Sequence, residues 1–146
     1  MSETYELELD SLGHGGFGGD FDGTNALRIA AGRGIHLDGN HLKFLSKQNG
    51  GFTRGAIYER EAIEIEVGVF YSWHDPHMHS EYGVWGAYEN WTKSGGNPDL
   101  YPFAESPGGD IFLMDKMGRV VLHRHDQVED IVLSETFDEF VCALRY

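Results

Sequence analysis

The sequence predicts an α+β fold, a single domain over residues 1–146 with a mainly antiparallel or mixed β-sheet flanked by helices. Three observations carry this. Runs such as "AIYEREAIEIEVGVFYSW" alternate apolar and polar residues with the period of a strand. Others, such as "SETFDEFVCAL", pair helical spacing with capping chemistry at their start. No repeat or linker divides the chain, and 146 residues match about one domain.

The elements follow in order. "TYELELDSL" alternates apolar and acidic residues and reads as a strand with one wet face. Nine glycines between residues 13 and 39 make much of the next stretch loop, with "TNALRIAAG" as a short helix capped by Thr24. "DGNHLKFLSKQNGG" is a stronger helix: Asp38 or Asn40 can cap it, Leu42, Phe44 and Leu45 supply an apolar face, and Asn49-Gly50 end it. From Ala56 to Trp73 the pattern is a strand, with Ile63, Ile65, Val67 and Val69 on one side and Glu64 and Glu66 on the other. A histidine-rich loop comes next, broken by Pro76. Trp85, Tyr88 and Trp91 then share a helix face, and "GNPDLYPFAESPGG" reads as loop. "DIFLMDKMGRVVLHRHD" is two strands around a Lys116-Met117-Gly118 turn. The last helix has Thr136 as cap, Glu139 completing a capping box, and Phe137, Phe140, Val141 and Leu144 facing inward.

Composition narrows the function classes. Twenty-four acids against eleven bases give a net charge of −13, which repels phosphate backbones and argues against nucleic acid as a partner. The acids cluster: Glu3, Glu6, Glu8, Asp10, Asp20 and Asp22 near the N-terminus, and Asp126, Glu129, Asp130, Glu135, Asp138 and Glu139 near the C-terminus, each set without a Lys or Arg among it. Such clusters keep a surface solvated or attract a basic partner. No apolar run approaches the ~20 residues a membrane span needs, and the acidic start lacks the apolar core of a signal peptide. Cys142 stands alone, which leaves no internal disulfide, fits a reducing cytoplasm and reads as a small core residue.

Two motifs invite chemistry. "GHGGFGGD" contains G-x-G-x-x-G at Gly13, Gly15 and Gly18. A dinucleotide site needs those glycines between a buried parallel strand and a helix start, and neither flank fits, so the stretch is a loop and no cofactor is expected. "SWHDPHMHSE" places His74, His77 and His79 beside Asp75 and Glu81, side chains that suit zinc or iron, with His123 or His125 as a distant ligand. Pro76 sets them in a loop rather than on a barrel strand, and no stoichiometric metal is expected there. No nucleophile motif or paired-carboxylate spacing marks an active site.

The C-terminal half carries a resemblance. Pro102-Phe103-Ala104 precede Gly108-Gly109-Asp110, then strand "IFLMD", turn "KMGR" and strand "VVLHRHD" ending in His125-Asp126. Thr136, Phe137, Glu139, Phe140 and Val141 match a closing S/T-F-x-E-F-L phrase with Val in place of Leu, and Asn49-Gly50-Gly51 end the upstream helix. Together, over roughly residues 38–144, these resemble the SUKH superfamily, which includes the Smi/Knr-type proteins of fungi and many bacterial immunity proteins. Residues 1–37 match it poorly, and "IHLDGNH" replaces the usual Leu-Pro. The resemblance implies a SUKH-like fold in which these motif residues are scaffold and specificity lies in variable surface. It implies a cytoplasmic, non-enzymatic immunity protein that binds a cognate toxin, as in competition through contact-dependent or type VI secretion. The acidity suggests a basic, nuclease-type toxin domain. On this reading Asp126, Glu129, Asp130 and Glu135, with Trp73 and Trp85, meet the partner. A small metal-dependent enzyme built on His74, His77 and His79, and a regulatory scaffold, are the alternatives.

Overall fold

A computed structural model describes Leu9 and residues 21–74, 82–127 and 130–146. The elements run α1 (Gly23–Gly32), α2 (Gly39–Lys47), β1 (Gly51–Arg60), β2 (Ile63–Phe70), α3 (Val84–Lys93), β3 (Tyr101–Glu105), β4 (Ile111–Met114), β5 (Val120–His123), β6 (Asp130–Ser134), α4 (Phe137–Cys142) and β7 (Leu144–Arg145). The strands form a seven-stranded sheet in the order β6-β5-β4-β3-β2-β1-β7, antiparallel at every step. The α+β class is as the patterns imply. The strand expected in "TYELELDSL" and the glycine-rich loop fall mostly outside the described residues.

Local chemistry explains most elements. Asp38 caps α2 by accepting from the Asn40 and His41 amides, and Thr136 caps α4 by accepting from Glu139 N. At α1 the cap is Asp22, accepting from Asn25 N, rather than Thr24. Asp115 takes the Met117 and Arg119 amides and the Arg119 side chain, which tightens the turn between β4 and β5 as the Lys116-Met117-Gly118 signal implies.

Four strands depart from the sequence pattern, one of them β7, which takes Leu144 out of the expected last helix after α4 ends at Cys142. The long run from Ala56 is a hairpin: β1 starts at Gly51, and the chain reverses at Glu61-Ala62, with Arg60 opposite Ile63. Glu61 sits at φ 55°, a turn conformation that glycine adopts more readily, so no turn residue advertises the break. β3 lies inside the expected loop, where Pro102 adjoins a register shift that accommodates its missing N–H. β6 lies inside the acidic run, its polar residues belonging to an edge strand.

The sheet curls into a half-barrel. Tyr58 Oη on β1 donates to Leu133 O on β6 at 2.8 Å, although four strands lie between them in the sheet. In a flat sheet they would stand roughly 24 Å apart, beyond any side chain's reach. The register shift at β6 leaves Leu133 without a partner on β5, which frees its carbonyl for β1. Inside the curl, Phe70, Phe103 and Phe112 meet Phe44, Phe137 and Phe140 from α2 and α4. α4 thus carries the chain from one edge of the sheet, β6, to the other, where β7 pairs with β1. The opposite face is smaller: Trp91 of α3 packs with Leu100, Leu113 and Val121. Cys142 lies exposed, not in the core, because α4 presents Phe137 and Phe140 inward.

Candidate functional site

The motif residues build scaffold. Asn49 is buried, donates to Trp73 O at 3.0 Å and accepts from Trp73 N at 2.7 Å, tying the end of α2 to the segment after β2. Gly50 lies at φ 87°, and a Cβ there would come within 2.9 Å of the Ser72 backbone, so the close approach requires glycine. Gly51, at φ 148°, opens β1. In the second phrase Gly109 turns at φ 95° beside exposed Gly108, and Ser106 Oγ accepts from Asp110 N. Asp110 reaches across to the segment after β5 instead of closing its own turn: its Oδ1 accepts from His125 N at 3.0 Å and meets His125 Nδ1 at 2.7 Å. Partial burial raises the Asp110 carboxyl, but the two bonds from His125 outweigh it and hold it below its ordinary range. Phe137 and Phe140 are core residues.

Metal-binding sets are limited. Among the described residues, Asp110, His125 and Asp126 bring ligand-capable atoms within 4.8 Å of one another and could hold a cation. Asp110 Oδ1 and His125 Nδ1 already satisfy each other, so these atoms act as a staple between β4 and the end of β5. His123, the other distant ligand considered, meets Asp130 at 2.7 Å and Trp91 edge-on. His74 is half-buried, and His77 and His79 lie outside the described residues.

The expected partner residues separate. Asp126, Asp130 and Glu135 are exposed, and Glu129 lies outside the described residues. Trp73 and Trp85 are not surface residues: their rings meet at 5.0 Å within the core, and Arg33 stacks on Trp85. Their aromatic character marked packing rather than an exposed anchor.

The sequence pattern missed a cleft at the mouth of the half-barrel. It lies between the β1–β2 turn and β6, lined by Arg60, Glu61, Ile63, Val132, Leu133 and Glu135 among others. The Arg60 guanidinium donates to Leu133 O at 2.9 Å, and its bond with Tyr58, then the nearby charges of Glu61 and Glu139, raise its pKa. Arg60 and Leu133 stand 73 residues apart, so no local spacing announces the cleft.

A family model described as the SMI1/KNR4 family (SUKH-1) matches residues 28–143, most of the chain. The chain belongs to the SMI1/KNR4 (SUKH-1) family. The match begins before residue 38 and so takes in much of α1, beyond the stretch that the motifs alone cover. Comparison with curated proteins and with solved structures gives no significant match. The SUKH family is generally not enzymatic. No helix among the described residues is long and apolar enough to cross a membrane.

Proposed function

We propose that this SUKH-1 domain is a cytoplasmic, non-enzymatic immunity protein that binds a cognate toxin and neutralises it by occlusion. The observation that carries the reading is the family match over residues 28–143. The net charge of −13 points to a basic toxin domain of nuclease type. Asp126, Asp130 and Glu135 stand exposed near β6, and Glu129 neighbours them in sequence, so the acidic run offers a steering surface. Neither nucleic acid nor membrane is the partner on this reading.

The test is protection of cells that express the toxin encoded beside this chain, with wild-type protein and with Asp126, Glu129 and Asp130 reversed to Lys. Rim charges act mainly on the association rate, so the triple variant associates more slowly and loses its salt dependence. Failure of the wild type to protect refutes the function. Unchanged association kinetics in the triple variant would show that this run is only a solvated face.

A further inference from the structure

We infer that the cleft at the mouth of the half-barrel is a docking groove for an extended, lysine- or arginine-bearing segment of a protein partner. This deepens the reading of the chain as a binder of a basic protein and rests on it. Three features of the cleft converge. It runs beside β6, the edge of the sheet, where no further strand among the described residues takes up the outward backbone groups. Leu133 O is held by Tyr58 and Arg60, leaving the stretch before it as the open edge on which an added strand would pair. Val132 is 50% exposed, and with half-buried Ile63 it gives the groove an apolar lining.

Charge selects the occupant. Glu61 and Glu135 line the groove, and Glu61 keeps its carboxylate at a left-handed turn position where glycine would be unstrained. Arg60 donates to Leu133 O and stays charged under the field of Glu61 and Glu139, so the lining carries two carboxylates against one guanidinium and remains net acidic. A basic side chain from the partner lays its methylene stem on Val132 and Ile63 and places its charged head between the two carboxylates. An acidic segment would meet two carboxylates against a single guanidinium, a net repulsion.

The test follows backbone amide NMR shifts of the full chain during titration with two short blocked peptides, one alternating Lys and Val, the other Glu and Val. The Lys peptide is expected to shift Glu61, Val132, Leu133 and Glu135, and the Glu peptide to leave them still. Glu61→Gln with Glu135→Gln weakens the Lys peptide by about tenfold. Glu61→Gly, which relieves the turn, checks that loss of the charge rather than of the fold is responsible. The groove is refuted by equal response to both peptides, by shifts centred on the exposed Glu59, Glu64 and Glu66 instead, or by an unaffected double variant. Concentration-dependent shifts at β6 without peptide would replace the partner with a second copy of this chain and equally overturn it. Toxin protection separates the two ideas. Peptide binding in the groove without protection sinks the immunity function alone, and full protection by the double variant sinks the groove alone.

Discussion

His41 gives the stability of this domain a built-in dependence on pH. It sits on α2 against Tyr101, Phe103 and Phe137, is fully buried, and burial lowers its pKa from 6.5 to about 3. Its Nδ1 meets Tyr101 Oη at 2.9 Å. That hydroxyl also accepts from Asp38 N. Because the folded value is depressed, the stability is fully present above the unfolded value of 6.5 and drains away as pH falls towards 3. Over that window the unfolded chain takes up a proton that the folded chain refuses. Each pH unit below the unfolded value costs about 1.4 kcal/mol, so going from about pH 7.5 to about pH 5 removes roughly 2 kcal/mol. That is a large fraction of a stability of about 5–15 kcal/mol. The measurement is urea denaturation of wild type and His41→Gln at both pH values. The variant is expected to be less stable at neutral pH yet to lose about 2 kcal/mol less on acidification, since the carboxylates common to both cancel in the difference. Equal losses in the two proteins would refute the linkage.

Other perturbations probe the packing and the turn. Phe140→Ala removes a fully buried ring that stacks on Tyr58 and touches Phe103 and Phe112, and is expected to cost about 3–5 kcal/mol in a thermal or urea melt. An unchanged melt would mean that α4 does not close the half-barrel. Glu61→Gly relieves a positive φ and is expected to stabilise by a few tenths to about 1 kcal/mol in the same assay, a loss of stability contradicting the assigned turn. Protein purified without a histidine tag is expected to carry no stoichiometric zinc or iron at His74, His77 and His79, and elemental analysis showing one ion per chain would overturn that.

What the sequence determined alone was whatever acts over a few residues. Asp38 and Thr136 announce their helices because a cap bonds to an amide two or three residues on. The β4–β5 hairpin is legible because Asp115 and Gly118 shape the turn between its strands. The Asn49-Gly50-Gly51 and Gly108-Gly109-Asp110 phrases marked the family, although their bonds to Trp73 and His125 lay beyond reading. Tertiary structure decided the rest. The hairpin at Glu61 carries no turn residue, and β3 and β6 hide behind a proline and a run of acids that the sheet tolerates at a bulge and an edge. Trp73 and Trp85 went inside because Asn49 ties the Trp73 backbone to the end of α2 and the two rings pack edge-on against each other. The Tyr58–Leu133 bond joins residues 75 apart, and with the Arg60–Leu133 bond it brings Arg60, Glu61 and Glu135 to one cleft. Chain closure over that distance depends on every strand between, and no local pattern records it.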